Sequence, residues 1–267
     1  MNRIPRVLHY CFGLTPDFGG RPWSMVHYAC VASAIHHLRP DRIFFYCEHQ
    51  PKGPWWDLTR ALVEVIPVKA PTEVFGNSIH HYAHRADVLR LDRLLEHGGI
   101  YLDVDVIVHR SFDDLLGHSV VLGQEGVDGA YGLANAVILA EPDAPFLHRW
   151  RDEYRSFRND VPGGRYWAEH SVALPKRLAQ AYPSDIITLP HNAFYWPLWD
   201  EEALRTLFTS TSQDEVQGLY ANHLWESLAW NAYLAGLTPG HVRASNSIFS
   251  QWLRPYVATL SDNYGVL

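Results

Sequence analysis

The chain has 267 residues, of which 47% are hydrophobic and 19% are charged, and its formal net charge is −7. This length and apolar content suit one large domain. A nucleic-acid-binding domain would normally have a basic face and a high pI, so the pI of about 6.1 argues against nucleic acid as a partner. The three cysteines are odd in number and form no CxxC, which argues against a disulfide framework and a thiolate zinc site.

The chain also shows no targeting or membrane-spanning signal. Its N-terminus has no apolar core of a secretory signal, and its apolar runs are far shorter than the roughly 20 residues of a membrane span. We therefore expect a cytoplasmic location in a reducing compartment, with at most peripheral association with membranes.

The first 70 residues alternate between strand and helix patterns. Strands are predicted at residues 6–12, 42–46 and 63–68, and helices at residues 25–38 and 55–62. This alternation is typical of a parallel α/β sheet.

An amphipathic helix is predicted over residues 83–97, and Gly98-Gly99 ends it. Residues 100–108 follow directly and are predicted to form one central strand, although two aspartates interrupt its apolar pattern.

The second half of the chain is predicted to continue as a mixture of strands and helices. Strands are expected at 120–123, 133–140 and 186–189, helices at 146–157 and 167–181, an irregular aromatic segment at 191–199 and a final block at 219–234. Since no internal repeat or low-complexity linker is visible, one domain is predicted over residues 1–267. Its nucleotide-binding half ends near residue 110, and residues 111–267 supply an acceptor half with a C-terminal segment that binds metal and phosphate.

The aspartates that interrupt the predicted central strand are Asp103 and Asp105, on either side of Val104. Alternate residues of a strand point to the same side, so we expect the two carboxylates to lie together. Two buried carboxylates are costly unless a positive charge lies between them, and a divalent cation prefers such oxygen ligands. A metal held there could bridge a diphosphate and stabilise a leaving nucleotide. Solvated aspartates at a strand end are the alternative.

The segment before and through these aspartates, residues 85–106, reads RADVLRLDRLLEHGGIYLDVDV. It resembles the DXD-motif sugar transferases, which include Golgi α-1,4-glycosyltransferases, capsular and lipopolysaccharide transferases and glucosylating toxins. The fixed elements of their pattern are present as Arg85, Asp87, Arg90, Gly98, Gly99, Tyr101, Asp103 and Asp105. The resemblance implies the GT-A fold, a Rossmann-like α/β architecture with a mixed, mainly parallel central sheet flanked by helices.

Three further blocks extend the resemblance from residue 4 to about residue 230. Residues 4–10 resemble the opening strand of the family, although Cys11 stands where many members have tryptophan. Asn135-Ala136 resembles a segment near the donor sugar. His223-Leu224-Trp225 resembles the C-terminal His-x-Trp, in which the histidine binds metal and the tryptophan contacts the diphosphate.

The resemblance also implies a role for each matching residue. Asp105 binds the metal directly, Asp103 engages ribose or sugar hydroxyls with a lesser part in the metal site, and His223 is a further ligand of Mn²⁺ or Mg²⁺. The implied catalytic residues are Asp103, Asp105, Arg85 and Asp87. The implied donor contacts are Tyr10, Arg85, Asp87, Tyr101, Asp103, Val104, Asn135 and Trp225. Arg90 could support the aspartates from behind.

The implied reaction is a metal-dependent transfer, with retention of anomeric configuration, of a hexose or N-acetylhexosamine. The expected donor is a UDP-sugar, with GDP-mannose as the alternative, and the expected acceptor is a glycan, a lipid-linked saccharide or another hydroxyl compound. Glu169 and His170 lie where relatives place a residue on the β-face of the sugar, and neither is assigned as a nucleophile. Residues 194–199 are predicted to form one wall of the acceptor pocket.

Two readings from other functional classes remain open at this stage. One is a catalytically degenerate sugar-binding module on the same fold. The other is a zinc hydrolase built on His80, His81 and His84 at the start of a helix, although the sequence lacks HExxH.

Overall fold

The computed structural model describes residues 2–212 and 218–262, and it places eleven strands and nine α-helices in them. The strands are β1 (Val7–Cys11), β2 (Arg42–Cys47), β3 (Glu64–Pro67), β4 (Glu73–Val74), β5 (Asn77–Ser78), β6 (Gly99–Leu102), β7 (Val106–Val108), β8 (Val120–Glu125), β9 (Gly132–Ala140), β10 (Ile187–Leu189) and β11 (Ala221–His223). The helices are α1 (Met25–Leu38), α2 (Pro54–Arg60), α3 (Tyr82–His97), α4 (Pro145–Asp152), α5 (Leu174–Ala181), α6 (Glu201–Thr209), α7 (Glu226–Ala229), α8 (Pro239–Ala244) and α9 (Ile248–Val257).

Seven of these strands form one central sheet in the order β10-β8-β9-β6-β1-β2-β3. Strand β1 pairs in parallel with both β2 and β6, whereas β9 runs antiparallel to its neighbours β6 and β8. All nine residues of β9 are buried, as expected for a strand at the centre of a covered sheet. The predicted mixed, mainly parallel sheet is confirmed.

The two faces of the sheet belong to two hydrophobic layers. Along β1, Leu8 and Tyr10 enter the layer that includes residues of α1 and α9, and Cys11 enters the layer that includes residues of α3 and α4. This alternation follows from the two-residue period of a strand. Helices therefore cover both faces, and the carboxyl ends of β1, β6 and β8 meet at one edge of the sheet.

The prediction of one strand over residues 100–108 is wrong. The N–H of Asp103 still donates to the carbonyl of Ala136 in β9 (2.8 Å), and the N–H of Val106 then donates back to the carbonyl of Asp103 (3.1 Å), which closes a turn that takes the chain out of the central sheet. Strand β7 then pairs antiparallel with β11, more than a hundred residues later in the chain. Both aspartates thus lie in a turn at the carboxyl edge of the sheet.

Two predicted helices are also shorter than expected. Helix α4 ends at Asp152 and gives way to a 3₁₀ turn over Glu153–Ser156, and α5 begins at Leu174 after a π-type turn over Glu169–Ala173. Pro175 near the start of α5 lacks the N–H that an upstream helix would use, which favours a helix beginning there.

The predicted domain over residues 1–267 includes residues 1, 213–217 and 263–267, which lie outside the described part of the chain. Among the helices of residues 2–212 and 218–262, none combines the length and apolar character that crossing a membrane requires.

Candidate metal and donor site

Asp103, Asp105 and His223 form a compact cluster at the carboxyl edge of the sheet. Each offers one ligand atom, and these atoms lie within 4.8 Å of one another. The turn after β6 supplies the aspartates, and the pairing of β11 with β7 brings His223 opposite Val106. The expected closeness of the carboxylates is found, but a turn produces it and not strand alternation. Within residues 2–212 and 218–262, no other three His, Cys, Asp or Glu side chains converge in this way.

Asp105 is the most firmly held member of the cluster. Its Oδ2 accepts the backbone N–H of Glu226 at 2.8 Å and lies 3.3 Å from Nε2 of His223. Burial alone would raise the pKa of Asp105, but the charge and hydrogen bond of His223, together with the N–H of Glu226, lower that pKa to about 2. Asp105 is therefore ionised at neutral pH and offers a carboxylate oxygen of the kind that binds a divalent cation.

The pKa values of the other two members, Asp103 and His223, are both raised, which indicates that the cluster favours additional positive charge beside its carboxylates. Burial raises the pKa of Asp103 despite the nearby Arg90 and His223. Burial would lower the pKa of His223, but Asp105 and the other carboxylates raise it overall, and its Nδ1 is buried without a hydrogen-bond partner in the described residues. Two carboxylates and an imidazole fit a divalent cation such as Mn²⁺ or Mg²⁺, whose charge would stabilise both ionised aspartates.

Arg90 connects Asp103 to the residues of α3 and β9. Its Nη1 donates to the carbonyl of Asn135 at 2.7 Å and lies 3.2 Å from Oδ1 of Asp103, and its Nη2 lies 3.4 Å from Oδ1 of Asp87. The guanidinium also lies over the ring of Tyr101, whose hydroxyl donates to Asp103 at 2.7 Å. The side-chain amide of Asn135 donates to Asp87 at 2.7 Å. Four of the predicted site residues thus share one hydrogen-bonded network around a buried arginine.

The remaining residues of the predicted donor site differ in exposure. Arg85 is half-buried and donates to the carbonyl of Leu14 at 3.0 Å, and Val104 is buried within the turn between the two aspartates. Tyr10 and Tyr101 have no exposed surface, and the hydroxyl of Tyr10 has no partner among the described residues. A donor could touch Tyr10 only after its neighbours moved, so Tyr10 is not among the contacts that we propose.

Trp225 lies against the metal cluster with its ring centroid 4.2 Å from that of His223. Its backbone is left-handed, with φ 53° and ψ 46°. The resemblance implies that this tryptophan contacts the diphosphate, and here its indole N–H donates to the carbonyl of Pro197 at 3.0 Å. Trp225 therefore joins the metal cluster to the predicted acceptor wall at residues 194–199.

Two buried carboxylates at this edge were not singled out from the sequence. Glu125, the last residue of β8, accepts the indole N–H of Trp199 at 2.9 Å, and burial raises its pKa. Glu226 follows Trp225 and is buried beside Asp105. A carboxylate that ends an apolar strand before glycine was the available signal for Glu125, and adjacency to the His-x-Trp block was the signal for Glu226.

The histidines of the zinc-hydrolase alternative do not converge on one point. His81 accepts the N–H of Ala83 as a helix cap, His84 Nε2 faces the carbonyl of Trp167, and the two rings are 6.2 Å apart. They contribute to no ligand group among the described residues, so the structure gives this alternative no support.

Glu169 and His170, which the resemblance placed near the β-face of the sugar, have other partners. Glu169 pairs with Arg158 at 2.6 Å on the surface, and the buried His170 contacts Ser156 at 3.2 Å. Neither contact points to a nucleophile.

Comparison with known proteins agrees with this geometry. Residues 31–122 match a family model described as the glycosyltransferase sugar-binding region containing a DXD motif. The chain is 37% identical over 270 residues to glucan organizing enzyme 1 of Cryptococcus neoformans var. grubii, an alignment that covers 97% of this chain and 72% of that protein.

Solved structures with the same fold include two glycosyltransferases of low sequence identity. The PaToxG glycosyltransferase aligns with a TM-score of 0.50 at 15% identity, over 95% of this chain and 87% of that one. The apo form of the glycosyltransferase GlyE of Streptococcus pneumoniae TIGR4 aligns with a TM-score of 0.51 at 14% identity, over 86% of this chain and 57% of that one. At such identities the likeness bears on the fold, which is the GT-A fold that the sequence predicted.

Proposed function

The chain belongs to the glycosyltransferases whose sugar-binding region contains a DXD motif, and we propose that it transfers a hexose or N-acetylhexosamine from a UDP-sugar to a glycan hydroxyl with retention of configuration. The observation that carries this proposal is the cluster of Asp103, Asp105 and His223 within 4.8 Å. A sugar nucleotide needs its diphosphate charge neutralised when it leaves, and this cluster offers a site for the cation that does so.

In this mechanism Asp105 and His223 would hold the cation, and Asp103 would interact with both the cation and the hydroxyls of the donor. When bound, the cation supplies a Lewis acid that stabilises negative charge on the departing nucleotide diphosphate. The ionised state of Asp105 suits direct ligation, because its pKa of about 2 leaves no proton to displace at neutral pH.

The network around Arg90 orients the sugar in this proposal. Asp87 has Oδ1 committed to Asn135 and Arg90, so its orientation is fixed before the donor arrives. A preorganised carboxylate can accept sugar hydroxyls without the entropic cost of ordering itself. Arg85, at the start of the same helix, offers a guanidinium to hydroxyls or phosphate oxygens.

The acceptor is proposed to lie against Glu125, Trp199 and Tyr131. Trp199 donates to Glu125 and its ring lies 5.1 Å from that of Tyr131, which is half exposed. A carboxylate beside two aromatic rings combines a hydroxyl acceptor with flat apolar faces. The name of the Cryptococcus relative suggests a glucan as the first acceptor to try.

Retention of configuration is proposed without a protein nucleophile. The departing phosphate can take the proton of the acceptor hydroxyl, so a strong general base is not needed. Glu169, paired with Arg158, is not placed in this step.

A thermal-shift panel tests the donor proposal. UDP-glucose, UDP-galactose, UDP-N-acetylglucosamine and GDP-mannose are each added with and without Mn²⁺, and a true ligand raises the melting temperature by mass action. We expect UDP-sugars with Mn²⁺ to give the largest shift, whereas a larger shift with GDP-mannose would favour mannosyl transfer. No shift with any nucleotide sugar and metal would contradict the proposal.

Asp105→Asn separates an enzyme from a degenerate binding module. The variant should lose the Mn²⁺-dependent shift and lose donor turnover by orders of magnitude, measured as release of nucleotide diphosphate. The matched control is Asp113→Asn, a surface aspartate paired with Arg6, which should behave as the wild type. A wild-type protein that binds donor without any turnover would support the binding module.

A further inference from the structure

Glu226 joins the N-terminal segment of the chain to the cluster of Asp103, Asp105 and His223. Its Oε2 accepts Nε–H of Arg21 at 3.2 Å, and its Oε1 lies 2.7 Å from Nε2 of His27. These partners are about two hundred residues away in sequence, and the side chains of all three are less than a fifth exposed. One oxygen of this buried carboxylate is therefore hydrogen-bonded to Arg21, and the other is in close contact with the imidazole of His27.

The proton on His27 can be placed from its other contact. The backbone N–H of Ser24 donates to Nδ1 of His27 at 2.9 Å, so Nδ1 accepts. A neutral ring with Nδ1 as acceptor carries its proton on Nε2. The N-terminal cap of α1 therefore turns Nε2 of His27 towards Oε1 of Glu226, and the two atoms are in close contact without forming a hydrogen bond.

The backbone of Glu226 provides the link to the metal cluster. Its N–H donates to Oδ2 of Asp105 at 2.8 Å. The preceding residue, Trp225, has left-handed φ and ψ, a conformation that is unfavourable for a non-glycine residue. Such a conformation persists only when surrounding contacts stabilise it. The hydrogen bond between Arg21 and the side chain of Glu226 fixes the residue that follows Trp225, and so helps to stabilise it.

Arg21 extends this link to the helix that carries the donor-binding residues. Its Nη2 donates to the hydroxyl of Tyr82, the first residue of α3, on which Asp87 and Arg90 also lie. The ring of Tyr82 in turn packs against Gly19 in the loop before Arg21. One chain of contacts thus runs from the N-terminal loop through Glu226 to Asp105.

We propose that Glu226 is a positioning residue of the metal site: held by Arg21 and His27, it aims its backbone N–H at Asp105 and keeps Oδ2 of that carboxylate turned toward His223. This inference rests on the proposed function, because it assumes that Asp105 and His223 bind a divalent cation. Hydrogen bonds that orient a metal ligand are typically worth 10- to 100-fold in metal affinity.

Titration calorimetry with Mn²⁺ alone tests the inference on the Glu226→Gln variant. Glutamine keeps the volume of the side chain but turns one of its two acceptors into an NH₂ that faces Arg21 or His27 as a second donor. We expect the Kd for Mn²⁺ to weaken by about 10- to 100-fold. The control is Glu141→Gln, which removes the surface pair with Arg3 and should leave the Kd unchanged.

The melting temperature of each metal-free variant separates positioning from folding. If Glu226→Gln does not fold, Arg21→Met replaces it, because that change removes the hydrogen bond to Oε2 and leaves the contact between Oε1 and His27. An unchanged Kd for Mn²⁺ in a folded variant of either kind would overturn the positioning role while leaving the metal site intact. Failure of the wild-type protein to bind Mn²⁺ would instead overturn the proposed function, and this inference with it.

Discussion

Arg90 is the residue on which the described site depends most heavily for its geometry. It is buried, and it contacts two carboxylates, two backbone carbonyls and an aromatic ring at once. Only a planar guanidinium presents donors in a fork that reaches such partners together, so lysine is not an equivalent. Arg90 therefore does more than support the two aspartates, the role considered for it from the sequence, because it also positions Asp87, Asn135 and Tyr101.

Arg90→Lys is expected to lower the free energy of unfolding by about 3 kcal/mol, because it leaves buried carboxylates without their full complement of donors. Equilibrium urea unfolding measures this change. Arg93→Lys is the matched control on the same helix, since Arg93 pairs with the exposed Glu96 at i+3 and should change stability by less than about 0.5 kcal/mol. Equal stability of the two variants would contradict the assigned role of Arg90.

At the scale of elements, the joint between β1 and the end of α3 contains a buried titratable group. His9 on β1 has no exposed surface, its Nε2 contacts the carbonyl of Gly98 at 2.8 Å, and its Nδ1 contacts the hydroxyl of Tyr46. Since a carbonyl only accepts, Nε2 carries the proton and Nδ1 accepts from the tyrosine. The neutral ring thus makes one hydrogen bond to the end of α3 and one to β2.

Protonation of His9 should loosen this joint. Burial lowers its pKa from 6.5 to about 4, so the folded state disfavours the charged ring relative to the unfolded state. The associated stability is fully present above pH 6.5 and is lost as the pH falls from 6.5 towards 4, by about 3 kcal/mol at 1.36 kcal/mol per pKa unit.

Urea unfolding at pH 7 and pH 4 measures that loss in the wild type and in His9→Gln. The glutamine cannot titrate, so the variant should lose less stability between the two pH values than the wild type. Comparing the difference also removes the contribution of other buried histidines such as His109, whose pKa is lowered as well. An identical loss in both proteins would exclude His9 as its source.

The elements that could be predicted from sequence are those that local patterns determine. The helix predicted at 25–38 has the bounds of α1, and the strand predicted at 42–46 extends by one residue as β2. The strand predicted over 100–108 failed because the chain turns after Asp103 and pairs next with β11, a distant strand that no local pattern reveals. Tertiary hydrogen bonds overrode a pattern that was apolar enough for one long strand.

At the scale of the whole molecule, the residues that a motif names were predictable and their supporting partners were not. Asp103, Asp105 and His223 were identified from their motifs, and the pairing of β11 with β7 brings them together. Glu226 was missed because its significance depends on Arg21 and His27, from the opposite end of the chain. A sequence motif records which side chains meet a ligand, but it does not record which distant residues hold those side chains in place.

The sheet order also predicts how the whole molecule unfolds. Strand β6, from the predicted nucleotide-binding half, lies between β1 of the same half and β9 of the predicted acceptor half, and β7 pairs with β11 across the same boundary. The two halves therefore share a sheet and a core, and neither can bury its apolar faces alone.

We expect one cooperative urea transition, with coincident midpoints by far-ultraviolet circular dichroism and tryptophan fluorescence. Mn²⁺ with UDP should move the whole transition to higher urea in the wild type but not in Asp105→Asn. Two separate transitions, or a ligand shift confined to one probe, would mean that the halves fold as independent domains.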